Sequence, residues 1–187
     1  DLQSRPVYFV SSNTHAVPNL ITGYACRHQK DLIRYIKRKG HEDYLQEYQD
    51  IIDENRNTNL NNFLYYILKK YLSDRNNDNA EAQLLEDEAD SGIIRIPNEH
   101  GFQIETQIID LSKVHMDWMD ERLIVDGITP ETLKASSAVI INIDYPLGLA
   151  AYEIMSRITE RVDQLIGAYI MGKAATLNGR VGDVMIP

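Results

Sequence analysis

Two short apolar runs separated by one amphipathic helix constrain this chain more than any other feature. Ala138-Val-Ile-Ile-Asn-Ile-Asp144 and Leu165 to Met171 are apolar and rich in β-branched or aromatic residues. Runs of that length and composition suit strands buried in a sheet. Between them Tyr145-Pro146-Leu147-Gly148 reads as a turn, and Ala150 to Arg161 as a helix with Ile154, Met155 and Ile158 on one face. Strand, helix, strand in that order predicts a parallel pair with a right-handed crossover, hence an α/β sheet. Val184-Met-Ile-Pro187 reads as the start of a further strand. Elements alternate too tightly for two independent domains, so residues 1–187 are expected to form one α/β domain.

The opening carries the same grammar. Pro6-Val-Tyr-Phe-Val10 is a β-rich apolar run cut off by Ser11-Ser12-Asn13-Thr14-His15. Val17, Leu20, Ile21, Tyr24 and Ala25 then recur at helical spacing, with Asn13 or Thr14 as the expected cap and Pro18 in the first turn. A strand, a polar loop and a helix start place backbone N–H groups at the carboxyl end of a strand, where α/β proteins bind anions.

Asp31 to Leu72 reads as two or three helices. Leu32, Ile33 and Ile36, then Leu45, Tyr48, Ile51 and Ile52, form one stripe broken near Gly40, and Phe63, Leu64, Ile67, Leu68 and Tyr71 form another. Packing within the chain is the expected use of this hairpin, with a partner subunit as the alternative. Ser73 to Ser91 is strongly acidic and reads as a solvated loop or frayed helix. Gly92 to Pro97 and Phe102 to Ile109 read as a β-hairpin, with Phe102, Ile104, Thr106 and Ile108 alternating. Leu111 to Ile128 reads as irregular or short helix. The expected fold is therefore an α/β domain, a mixed sheet with flanking helices, with residues 31–91 as a helical insertion and acidic loop.

Charge excludes two classes of partner. Against 19 basic residues stand 28 acidic ones, a formal charge of −9, which repels phosphate backbones and anionic membranes. No nucleic-acid or membrane partner is expected, and no segment approaches the roughly 20 apolar residues of a bilayer span. The lone Cys26 allows no internal disulfide and no cysteine metal cluster; it reads as a small packed hydrophobe, and the cytoplasm as the default address. Asp1-Leu-Gln-Ser-Arg5 lacks a signal-peptide layout and an initiator Met, so a lost natural N-terminus is expected.

The stretch Ile170-Met-Gly-Lys-Ala-Ala-Thr-Leu-Asn-Gly-Arg-Val-Gly-Asp-Val-Met-Ile-Pro187 resembles the signature of the nucleoside phosphorylase superfamily. Gly172, Leu177, Gly182 and Asp183 fall on that pattern. The order upstream is similar too: Pro6 to His15 resembles the family's first strand and phosphate loop, Gly92 to Ile109 its hairpin, and Gly148 its small-residue loop. The resemblance implies a nucleoside or nucleotide ligand, with phosphate as a further ligand, cleavage of an N-glycosidic bond, no cofactor, and homo-oligomers. By position it implies a binding site of Ser12, Asn13, Thr14, His15, Gly148, Gly172, Lys173 and Thr176. It implies no catalytic residue here, because the family's general acid lies beyond the part resembled; the chain corresponds to a first half.

Two departures keep alternatives open. The first loop has no basic residue but His15, and Ala174-Ala175 replace a signature glycine. A nucleosidase that uses water, or a non-catalytic relative that binds ligand or builds an oligomer, stands beside the phosphorylase.

Other constellations read as structural. Gly167 to Lys173 matches seven positions of a phosphate-binding loop, but Ala174 stands where magnesium needs a hydroxyl, and the intervening residues look like a strand. The five histidines show no i+2 or i+4 pairing; of these His15 is the site candidate. His115 with Asp117, Asp120 and Glu121 reads as a solvated turn rather than a metal cluster. Asp144 either lines the cleft or caps the next helix, and Asp183 orders a turn.

Overall fold

The computed structural model describes residues 2–54, 57–74, 77–97, 104–144, 149–172 and 180. Its centre is a five-stranded mixed sheet in the order β2-β3-β4-β1-β5. The strands are β1 (Pro6–Ser12), β2 (Ile93–Ile96), β3 (Thr106–Asp110), β4 (Val139–Asp144) and β5 (Gln164–Ile170). β1 runs parallel to β4 and β5, while β3 runs antiparallel to both β2 and β4. The two C-terminal strands are thus both parallel to β1 but not adjacent, because β1 is inserted between them. The further strand expected at Val184 to Pro187, and Phe102 of the hairpin, lie outside the described residues.

Eight helices occur among the described residues: α1 (Ala16–Thr22), α2 (Tyr24–Arg27), α3 (Gln29–Lys39), α4 (Glu42–Asp53), α5 (Asn57–Leu72), α6 (Asp78–Asp90), α7 (Pro130–Ala135) and α8 (Leu149–Thr159). Gly23 ends α1 at φ +54, where a Cβ would stand 1.9 Å from the Trp118 carbonyl oxygen. Only glycine combines that left-handed backbone with that approach. α7 starts with Pro130 behind a reciprocal cap between Thr129 and Thr132.

The sheet is covered on both faces. On one, Val7, Phe9, Val139, Ile141 and Ile143 pack against Ile154, Met155 and Ile158 of α8. On the other, Ile21, Ile93, Ile109 and Val114 pack with Val17 and Ile140. The helical insertion has its own core, in which Leu32, Ile36, Leu64 and Ile67 are fully buried. Burying such side chains contributes about 1.5–3 kcal/mol each, so the apolar stripes of α3 and α5 are used within the chain.

Three expectations change. The acidic segment contains α6, and two of its carboxylates are buried: Asp87 pairs with Arg27, and Glu88 with Arg95 through two bonds of 2.6 and 2.7 Å. Those two acids serve the interior, each paired with an arginine of another element, while Glu81, Glu86 and Asp90 stay exposed as expected of that run. β5 is mostly exposed rather than buried, with Ile170 at 76%, since it is the outer strand among those described. Leu111 to Ile128 is irregular with three 3-10 turns, Leu111–Lys113, Met116–Trp118 and Glu121–Leu123, as expected; what changes is the solvated turn at its middle, which Asp120 pins while residues 124–128 stay exposed. Asp120 there is buried and accepts from Asn61 (3.0 Å), Tyr65 (2.6 Å) and Arg122 (2.8 Å).

Candidate functional site

β1 and β4 are adjacent and parallel, with Ser12 opposite Asp144 in register. Their following helices leave for opposite faces: α1 packs on the Ile140 face and α8 on the Ile141 face. Neighbouring parallel strands that diverge in this way leave a crevice beyond their carboxyl ends, the usual ligand position in open α/β sheets. β5 ends at the same edge, where the Met171 N–H donates to the Ser11 carbonyl at 2.8 Å. The sheet thus brings residues 12–15, the end of β4 and Gly172 to one edge. Gly148, Lys173 and Thr176 lie outside the described residues.

The loop after β1 is held by a buried relay of amides. Ser12 Oγ lies 2.9 Å from Asn142 Oδ1; Asn142 Nδ2 donates to Gln107 Oε1 at 2.9 Å; Gln107 Nε2 donates to the Thr14 carbonyl at 2.9 Å. The Thr14 hydroxyl donates to Glu105 at 2.5 Å. Asn142 and Gln107 are 0% and 1% exposed, so each unmade bond would carry a full desolvation penalty. Ser12 and Thr14 are buried as well, which makes them framework rather than ligand-facing groups. The N-cap of α1 is His15 rather than Asn13 or Thr14; Asn13 instead orders the turn before it, its Oδ1 accepting from the N–H groups of His15 (3.0 Å) and Ala16 (2.6 Å). Two donors that an anion would need are therefore taken by the loop itself. His15 is exposed, Asp144 half-buried, and a Cβ on Gly172 would meet nothing within 4 Å.

Beside this loop lies a cavity of about 720 Å³ lined by His15, Leu68, Leu84, Glu88, Arg95 and Glu105 among others. Arg95 supplies the arginine that the loop sequence lacks, yet its guanidinium is engaged by Glu88 and raised in pKa chiefly by that bond. Glu105 joins the cavity to the loop, 4.0 Å from Arg95 and bonded to Thr14. Sequence reading passed over Asn142 and Gln107. For Asn142 the signal was present, a polar residue amid the apolar run of β4 that must find a buried partner; for Gln107 it was not, because alternation assigns Gln107 to the polar face of β3 while the structure buries it.

No group of three or more metal-binding side chains occurs among the described residues. Asp120 is held well below the usual carboxylate range by Arg122 and then Tyr65; its engagement there removes it from any cluster with His115, whose ring stacks on Trp118. The phosphate-loop match at Gly167 falls on β5 as far as Ile170, so it is a strand there. Burial raises the pKa of the Cys26 thiol, in keeping with a packed hydrophobe.

Fold and edge together define a mixed α/β protein whose parallel strands β1, β4 and β5 end at one edge. The chain belongs to DUF6909, a family of unknown function whose model matches residues 1–187. No curated protein and no solved structure matches the chain. No helix among the described residues is long and apolar enough to cross a membrane.

Proposed function

We propose that this chain is a nucleoside phosphorylase-like α/β domain that binds a nucleoside or nucleotide at the carboxyl edge of β1, β4 and β5. One observation carries the reading: the loop after β1, the end of β4 and the end of β5 meet at one edge, over a divergence of the following helices. Those segments carry the residues that resemble the superfamily's binding loops. A neutral nucleoside suits the described part of the edge better than free phosphate. Asn13 already occupies two backbone donors, and Arg95 is matched by Glu88. Asp144, half-buried at the edge, is the group in this reading that would accept from sugar hydroxyls. If the protein is active, the edge would hold the ribose while an N-glycosidic bond is cleaved through an oxocarbenium-like transition state, with phosphate or water as acceptor.

The test is calorimetric titration of the chain with adenosine, inosine, uridine and their monophosphates, with and without phosphate, alongside chromatography for released base. Saturable binding that weakens in Asp144→Ala is the expected result. Absence of binding by every nucleoside at millimolar concentration refutes the reading.

A second reading, a non-catalytic relative that builds an oligomer, rests on a different observation. Ile166, Tyr169, Ile170 and Met171 on and after β5 are about half or more exposed, with Leu149 and Tyr152 of α8 also open. Outer-strand apolar surface of that kind marks association sites. Sedimentation velocity separates the readings: a stable oligomer without nucleoside binding favours the second. The cytoplasmic address belongs to either reading and rests on the single, half-buried thiol.

A further inference from the structure

On the sheet face opposite α1 lies a groove of about 660 Å³, between β2, β3 and β4 and the second half of α8. It is distinct from the edge crevice, and nothing in the proposed nucleoside role uses it. Its lining is branched aliphatic: Ile108, Ile141 and Ile143 from the strands, Ile154 and Ile158 from α8. A site of this size lies within the roughly 300–1,000 Å³ of small-molecule pockets.

The groove's rim carries Arg157 and Arg161, with Glu160. Among the described residues Arg5, Arg27, Arg34, Arg95 and Arg122 each engage a carboxylate, while Arg38 bonds to Asn77. Arg157 and Arg161 find no carboxylate within ion-pair distance among the described residues, Glu160 included. The dipole of α8 accounts for a cation in its last turn, but not for two of them on the rim of the same apolar groove.

We infer that this groove binds one medium-chain fatty acid as its anion, tail along the isoleucines and carboxylate between Arg157 and Arg161. Each part of such a ligand meets its complement. Methylenes leave water against aliphatic side chains, and a guanidinium takes a carboxylate through paired N–H bonds. A neutral alcohol would gain the first and lose the second. Monomeric acid is the occupant rather than membrane lipid, because the net charge of −9 opposes an anionic bilayer.

The experiment titrates the full chain with decanoate, below its micelle concentration, and with 1-decanol and decyltrimethylammonium as probes of the headgroup. Expected are one equivalent of decanoate, and roughly tenfold or greater weakening both for decanol and for the exposed double variant Arg157→Glu/Arg161→Glu. Thr106→Phe, which places a strand-compatible aromatic ring in the groove, is expected to abolish binding with the thermal midpoint retained. Nucleoside titration of the double variant is expected to match the parent, which separates this site from the edge crevice. Equal binding of decanol and decanoate, undiminished decanoate binding by the double variant, or partition onto anionic vesicles without saturable decanoate binding each overturns the inference.

Discussion

Removing both amides of the buried pair Asn142–Gln107 is expected to destabilise the fold no more than removing either one. Leucine is close in shape to asparagine and glutamine, so Asn142→Leu and Gln107→Leu change hydrogen bonding with little change in volume. Asn142→Leu leaves Gln107 Oε1 without its donor, while Ser12 Oγ keeps the Asn13 carbonyl 3.0 Å away. Gln107→Leu strands Asn142 Nδ2 and the Thr14 carbonyl. A buried orphan costs about 1–3 kcal/mol, so each single variant is placed at about 2 kcal/mol. In the double variant the facing amides are both gone and only the Thr14 carbonyl is stranded, for a cost again of about 2 kcal/mol rather than about 4. Urea unfolding followed by circular dichroism reads this directly. With a slope of about 2 kcal/mol/M, each single lowers the midpoint by about 1 M, and the double by about the same. Midpoint shifts that simply add would refute the relay as a coupled unit, and with it the account of how the loop after β1 is held.

Two further outcomes follow from the geometry. Gly23→Ala combines a left-handed backbone with a collision against the Trp118 carbonyl oxygen, and is expected to cost about 3 kcal/mol or more; Gly40→Ala, at φ +67 with nothing within 4 Å, is expected to cost only about 1 kcal/mol, and equal thermal midpoints for the two would refute the contact. Asp110 and Asp120 have folded pKa values depressed by Arg5 and Arg122 respectively, so their contribution is present above the ordinary carboxylate range near about pH 4 and is lost as pH falls through the depressed values. Urea midpoints are therefore expected to fall on acidification below about pH 4, less steeply in Asp120→Asn; an identical acid slope in that variant would remove Asp120 from the explanation.

What the residues alone determined is local and periodic. β1, β4 and α8 were legible because their apolar patterns match one period over enough residues. Asn13 was legible as a residue at a helix start because short polar side chains bond backbone N–H groups just ahead, but which residue is the cap, His15, was not. The helices of the insertion were legible for the same reason, broken at Gly40 where the backbone turns left-handed.

Tertiary structure decided what depends on partners far apart in the chain. Only folding could tell that Asp87 and Glu88 are interior: the arginine of Asp87 lies 60 residues away, and that of Glu88, though only 7 away, reaches it only once β2 packs back on α6. Only the sheet order could show that β1 lies between β4 and β5, and that the loops at residues 12–15 and after 170 share an edge. Periodicity says which face of an element is apolar, but not which neighbour covers it. The exposed β5 and the isoleucine groove beside Arg157 and Arg161 are the places where that difference shows.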